Sequence, residues 1–396
     1  MARGDKPYRV YRGGRARGSV PTTPRPGRPQ GMNGRPETPA LPRRRRRRRR
    51  FGWGRRIGLV LFLLLALLVA WGVASFLALR GGVDEANDRL DEDRGARAAL
   101  TPQDGLLTSI PTTILLLGTD HAETVDRVGS RRADSIMLVR TDPKRHRLHY
   151  LTIPRDLRVE IPGHGANKVN AAFQLGGAEL AIQTVRAFTG LEINHVALVD
   201  FGSFRGLIDA MGSIDVDVPA PILANKFDCP YATQAECDRW AGWRFERGQQ
   251  SMDGRRALIY ARVRKNSLSP PESDLTRAAR QQQVVQSMTD KLLRPTTLAR
   301  LPAIAGDVVR PLATDLTAAQ VVQLGWLRFR ADSSRTLRCR LGGTAAYADG
   351  QAVLLGSEEN VNTIAMFTGA SAPQPPAPAS GPFGPGCFTG ASPARP

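Results

Sequence analysis

The chain has 396 residues, long enough for a sizeable core, with 56 Lys and Arg against 36 Asp and Glu and a formal charge of +20. The charge is unevenly placed: residues 1–56 hold 19 basic and 2 acidic side chains, while residues 57–396 hold 37 and 34, a net of +3. A nearly neutral main part excludes a domain that binds nucleic acid through an overall basic surface, because such binding needs clustered phosphate-neutralising charge on the folded module.

Residues 1–56 are rich in Gly, Pro and Arg, include the run Arg43 to Arg50, and have few large apolar side chains. They are predicted to be a disordered basic cytoplasmic tail. Next comes an uncharged run from Ile57 to Leu79, 23 residues with Arg55 and Arg56 before it and Arg80 after it. At ~1.5 Å per residue it crosses a ~30 Å hydrocarbon layer. It is longer than a signal-peptide core and lacks a small-residue cleavage site, so it reads as an uncleaved single-pass anchor in the cell membrane. The basic excess before it leaves the N-terminus in the cytoplasm and puts the residues after Arg80 outside. The Arg run then fixes topology and touches anionic headgroups.

Residues 80–107 mix both charges with Gly, Asn and Ala and are predicted to be an extracytoplasmic spacer. The folded domain is assigned to 108–370. Strand-like segments at Thr113–Leu117, Ser135–Arg140, Leu148–Ile153, His195–Val199 and Ile214–Val218 alternate with helical ones at Ala178–Phe188 and Phe201–Met211. That alternation predicts an α/β domain, a central mixed sheet flanked by helices. After Asp253 the pattern turns helical, at Arg255–Tyr260, Leu275–Leu293 and Leu316–Arg328. Residues 371–396 are rich in Pro, Gly and Ala and read as a tail. Four cysteines in an exported domain favour disulfides, with Cys229 paired to Cys237 across a short polar insertion and Cys339 to Cys387.

The familiar catalytic motifs for metalloproteases, serine hydrolases and nucleotide binding are missing from the sequence. Arg and Asp recur at element ends instead. Asp120 comes directly after the first strand, Arg131, Arg132 and Asp134 open the second, and Arg155 and Asp156 come after the third. Open α/β sheets bind ligands at strand ends, and carboxylates there with arginines suit an anion with a hard cation such as Mg²⁺. A second group lies in DGRRALIYARVRK and SDLTRAARQQQVVQSM. Asp253 is placed to cap a short helix, and an extended exit would turn Arg262 and Arg264 to one face. Ser273 is a candidate N-cap for the next helix, where Asp274, Arg277 and Gln281 form a stripe continuing through Val284, Met288 and Leu292. Two arginines beside a helix start can clamp a pyrophosphate, or they can be ordinary surface ion pairs.

At these residues the sequence resembles the LytR-CpsA-Psr family of cell-wall glycopolymer transferases. The stretches ILLLGTD, RRADSIMLVRTD, TIPRDLRVEIPG, NKVNAAFQLGG, DFGSFRGLIDAMGSIDVDVP, SMDGRRALIYARVRK and SDLTRAARQQ carry it in that order, over roughly 170 residues. The resemblance implies transfer of a glycan phosphate from a polyprenyl pyrophosphate carrier to peptidoglycan, with Mg²⁺ as cofactor. It implies Asp120 and Asp134 as metal ligands. Arg132, Arg155, Arg262, Arg264, Arg277 and Gln281 fall around the pyrophosphate, with Lys168 added to them. It also implies an apolar tunnel for the prenyl chain, although Leu180, Val185, Phe188, Phe204, Leu207 and Ile208 each read better as core. Asp134 or Asp156 is the candidate acceptor of the acceptor hydroxyl's proton. The expected partners are the lipid-linked glycan, peptidoglycan and the cytoplasmic membrane, with no nucleic acid. Alternatives are a polyprenyl pyrophosphate hydrolase, a non-catalytic module binding lipid-linked glycan, and a membrane-bound transcriptional regulator.

Overall fold

The computed structural model describes residues 52–93, 95–120, 132–224, 226–268, 274–372, 374 and 385–389, with the side chains of Asp120, Arg132, Phe201, Asp274, Leu275, Thr276, Ala278 and Ser333 outside that description. The expectations for residues 1–51, Arg131 and Ser273 also lie outside it.

A single helix, Gly52–Asp91, contains the apolar run and continues well past it. Within the run the large side chains are exposed, as at Leu64, Leu67 and Phe62. Beyond it Val83, Ala86 and Leu90 are buried. These three recur at helical spacing, which puts them on one face toward the domain. The predicted spacer is therefore corrected over its first part: charged residues between these positions hide an apolar stripe that packs. Asn87 Nδ2 donates to the Leu316 carbonyl at 3.0 Å, and Arg310 pairs with Glu85 at 2.8 Å.

The central sheet has seven strands in the order Ala313–Thr314, His195–Asp200, Thr113–Asp120, Arg132–Asp142, Arg147–Ile153, Leu337–Arg340 and Gly386–Thr389. It is mixed. Thr113–Asp120 runs parallel to His195–Asp200 and Arg147–Ile153 parallel to Leu337–Arg340, while Arg132–Asp142 lies between Thr113–Asp120 and Arg147–Ile153, antiparallel to both. Alternate residues divide between its faces. Leu115, Leu117, Ile136, Leu138, Leu151 and Ile153 join one core with Leu180, Val185 and the partly buried Phe188, whereas Met137, Leu148 and Tyr150 form a cluster on the other face. The helix predicted at Ala178–Phe188 begins earlier, at Ala171, and breaks at Gly176 and Gly177. Gly177 has φ +62°, and Asp93 accepts from the Ala178 N–H at 2.8 Å, restarting the helix.

A second apolar cluster contains the Ile214–Val218 strand, which pairs with Gly248–Met252 rather than joining the main sheet. Around it pack helices Phe201–Ala210, Gly254–Arg262, Asp274–Leu292 and Leu301–Val309, with Leu207 and Ile208 buried and Phe204 partly so.

The C-terminal reading is corrected most. After the helices come the strands Leu337–Arg340, Thr344–Ala348, Gln351–Leu355 and Gly386–Thr389 and the helix Glu358–Thr368. Residues 386–389 thus belong to the sheet and not to a tail. Four residues are too few to show a period, and it is the Cys339–Cys387 disulfide, between directly paired strand positions, that marks them. Cys229 and Cys237 are also bonded, so both pairings are present.

Two measurements test this packing. The Cys339–Cys387 bond spans 48 residues and the Cys229–Cys237 bond spans 8. Loop-closure entropy alone gives about 4 kcal/mol for the first and about 2.5 kcal/mol for the second. Denaturant unfolding of the two Cys→Ser pairs should therefore rank Cys339/Cys387 as the more damaging; equal loss would contradict this. The other concerns His149, buried with Nδ1 2.7 Å from the Phe367 carbonyl, which obliges Nδ1 to carry the proton and donate. Burial holds this imidazole below the ordinary value of 6.5. The unfolded chain therefore protonates at higher pH than the folded one, and stability falls as pH drops below about 6.5, levelling off once the folded ring is protonated too. His149→Gln should flatten that part of the stability–pH curve.

Candidate functional site

The antiparallel order of the three central strands brings the end of Thr113–Asp120, the start of Arg132–Asp142 and the end of Arg147–Ile153 to one edge of the sheet. In the first pair Gly118 faces Ser135 and Thr119 faces Ala133, so Asp134 is the extra residue of a β-bulge. A bulge re-aims the side chain it carries. Asp134 Oδ1 lies 2.6 Å from an Arg155 Nη1. Arg155 Nε reaches Asp156 Oδ2 at 3.2 Å, and the other Asp156 oxygen takes Lys168 Nζ at 2.8 Å. The chain Asp134, Arg155, Asp156, Lys168 is formally neutral, and each side chain is only 16–18% exposed. Pairs at that depth are weakly screened and hold their geometry better than surface ion pairs. Lys168 belongs here because Gly165–Lys168 pairs antiparallel with Arg158–Ile161, with Lys168 facing Arg158.

The second basic group meets this edge through the Asp274–Leu292 helix. Gln282 Nε2 donates to Thr152 Oγ1 at 2.5 Å and to the Cys339 carbonyl at 3.0 Å, tying the helix to the strand that leads into Arg155. Two residues earlier, Arg280 Nη2 donates to the Val263 carbonyl at 2.5 Å and its guanidinium lies over the Tyr260 ring. Arg277, one turn before Arg280, is buried at 5% exposure, and Gln281 is half-buried. Val284 is buried and Met288 and Leu292 partly so, completing the predicted stripe.

Asp253 caps the Gly254–Arg262 helix by accepting from the Arg256 N–H at 2.7 Å. The chain then leaves extended, with Val263 at φ −54° and ψ 128° and fully buried, which turns Arg262 and Arg264 away from it. Their surroundings differ. Arg262 pairs with Asp228 and lies 5.5 Å over the Phe227 ring, drawn toward the disulfide-closed insertion, while Arg264 is exposed. The geometry thus gathers Asp134, Arg155, Asp156 and Lys168 into one contact network, carries Arg277 and Gln281 on the helix that Gln282 ties to the neighbouring strand, and turns Arg262 to Asp228 instead. Asp120 and Arg132 are paired across the strands beside the bulge.

Three residues at this edge carry no sequence signal of their own role. Arg280 and Gln282 sit inside the RAARQQQ stretch, but their long-range partners are invisible there. Arg340 lies in register with Thr152 and is buried, and burial pulls its guanidinium down to about 10, leaving it charged at neutral pH. Its position next to Cys339 is the one hint that the sequence offers.

Asp156 holds two cations apart, so Asp156→Asn should lower stability by about 1–3 kcal/mol in denaturant unfolding. Adding Lys168→Met should restore part of that loss, because the uncompensated charge is removed; strict additivity of the two would show that the ion pair is not coupled.

A family model, LytR_cpsA_psr, matches residues 77–367. TagV of Bacillus subtilis strain 168, a polyisoprenyl-teichoic acid–peptidoglycan teichoic acid transferase, is 30% identical over 271 residues, 67% of this chain and 65% of TagV. The match thus spans slightly under two thirds of that relative. TagU of Halalkalibacterium halodurans, of the same description, is 28% identical over 267 residues, 66% of this chain and 79% of TagU. The crystal structure of B. subtilis TagV superposes with a TM-score of 0.51 at 26% identity, covering 64% of this chain and 94% of that one. The mixed sheet flanked by helices is the fold they share, and with residues 77–367 matched the chain belongs to the LytR_cpsA_psr family.

Proposed function

We propose that this protein transfers a glycan phosphate from a polyprenyl pyrophosphate carrier to peptidoglycan, at the outer face of a membrane that the Gly52–Asp91 helix crosses once. The charge excess before the apolar run supports the N-terminus-in orientation. Membership of a family whose relatives TagV and TagU bear teichoic acid transferase names supports the reaction class. The observation that carries the reading is the Asp134–Arg155–Asp156–Lys168 network at the strand ends.

Phosphoryl transfer asks the protein for positioning and charge neutralisation more than for a nucleophile. Arg155, held between two carboxylates, presents its guanidinium in one orientation and meets phosphate oxygens bidentately. Lys168 adds a point charge, and Arg277, Arg262 and Arg264 balance the rest of the pyrophosphate, with Gln281 as a neutral donor. Asp156 commits both its oxygens to cations and acts as a positioning residue. Among the described residues Asp134 commits only one, to Arg155. Its hard carboxylate oxygen, beside the strand end bearing Asp120, fits the donor chemistry of Mg²⁺. Asp134 and Asp120 would hold the ion, which would neutralise charge on the phosphoryl oxygens when bound. Arg132, next to the bulge, is assigned to the same reacting phosphate.

The test is incorporation of glycan into peptidoglycan by the purified full-length chain given a lipid-linked glycan and Mg²⁺. Arg155→Ala should weaken lipid pyrophosphate binding by about 1.5–3 kcal/mol, and Arg155→Lys should rescue only part, since an ammonium lacks the guanidinium fork. Asp134→Asn and chelator should each abolish turnover while leaving much of the lipid affinity. Full activity with chelator would remove Mg²⁺ from the proposal; glycan released to water without a wall product would replace transfer by hydrolysis.

A further inference from the structure

The anchor helix and the domain touch below the end of the apolar run. Trp71 lies eight residues before Leu79, ~12 Å along the helix axis. Its indole N–H donates to the Ala299 carbonyl at 3.3 Å. Further along the helix, Gly82 and Gly306 meet so closely that a Cβ on Gly82 would fall 2.4 Å from the Gly306 carbonyl oxygen, and one on Gly306 would fall 2.9 Å from that of Ala78. Close backbone contact of this kind fixes two helices against each other. The helices Pro295–Ala299 and Leu301–Val309 therefore flank the last third of the apolar run, and Arg300, next to Ala299, is exposed there.

A second observation concerns the helix joined to this flank through Arg328. On the helix Ala318–Arg330, Val322, Trp326 and Phe329 recur at i, i+4 and i+7, yet they are 52%, 51% and 63% exposed. Trp326 and Phe329 stack on each other at 5.7 Å, and the Arg330 guanidinium lies 5.9 Å from the Trp326 ring centre. Between them Arg328 reaches back to Thr289 and Asp290, at the end of the helix that leads through Arg294 into Pro295–Ala299. The stripe thus belongs to a helix that Arg328, on a different side from the two rings, ties to the segment leading into the flank that meets Trp71. Exposed aromatics edged by arginine are the composition of an element lying in a membrane interface.

We propose that the 295–309 flank, with Trp326 and Phe329, rests on the outer leaflet of the membrane that the anchor crosses, the aromatic rings at the headgroup boundary and Arg300 and Arg330 among anionic headgroups. The domain is held on the bilayer in one orientation. This rests on reading the apolar run as a membrane span and is independent of the transferase chemistry.

The test uses the full chain in vesicles of phosphatidylcholine and phosphatidylglycerol, with and without brominated acyl chains that quench tryptophan on contact. Subtracting the emission of Trp326→Phe from that of the parent isolates Trp326, and Trp71→Phe isolates Trp71 in the same way. Loss of most of the Trp326 component in brominated vesicles is expected, together with a red shift of that component in Val322→Ser/Phe329→Ser. Quenching of Trp71 with an unaffected Trp326 overturns the docking alone. Quenching of neither overturns the span and the docking with it. A Trp326 component that is unquenched but changes with protein density would assign the stripe to a second copy of the chain, which also overturns the proposal.

Discussion

Arg155 is the point on which the site depends. Its guanidinium is shared between Asp134, displaced from its ladder by a bulge, and Asp156, which turns its other oxygen to Lys168. Each contact restrains a different segment: the second strand, the turn after the third, and the small hairpin next in the chain. A lone arginine at a strand end would sample many rotamers and lose side-chain entropy on meeting a ligand. Held by two carboxylates it is already oriented, and the network is neutral before any anion arrives. An incoming pyrophosphate would then add charge that this network does not balance by itself, which is a physical reason for a second basic group.

That second group is coupled to the first by one helix. Asp274–Leu292 buries Val284 in the apolar cluster around Ile214–Val218, donates from Gln282 to the main sheet, and holds the exit of the preceding helix through Arg280. Three packing surfaces meet on it, so a change in its axial position would move Arg277 relative to Arg155. The insertion closed by Cys229 and Cys237 acts on the remaining arginine, since Asp228 and Phe227 engage Arg262.

Much of this is legible in the residues alone. Runs such as TILLL and SIMLV are long enough to show a buried strand, and the acidic and basic residues at their ends are punctuation that a core does not need. The Asp253 cap and the stripe from Arg277 to Leu292 are local patterns and can be read as such. The hidden features are long-range or short. LRCR is a strand through pairing with Arg147–Ile153 and GCFT through pairing with LRCR, and nothing local separates either from loop. The packed stripe Val83, Ala86 and Leu90 is masked by Asp84, Glu85 and Arg89 between them. Arg280, Gln282 and Arg340 owe their place to partners far along the chain. The turn of Arg262 toward Asp228, 34 residues earlier, is equally beyond a local reading.

The position of the last strand has a consequence for how the molecule is made. Gly386–Thr389 forms an edge of the sheet beside Leu337–Arg340, and in chain order it is the last of the sheet's seven strands. Until it arrives, Leu337–Arg340 is itself an open edge, with unpaired backbone groups that invite pairing with another chain. The nascent domain passes through a window in which every other strand of the main sheet exists and one side is unprotected. Closing that window requires an oxidising partner as well as the strand, because it is the Cys339–Cys387 bond that makes the final pairing covalent.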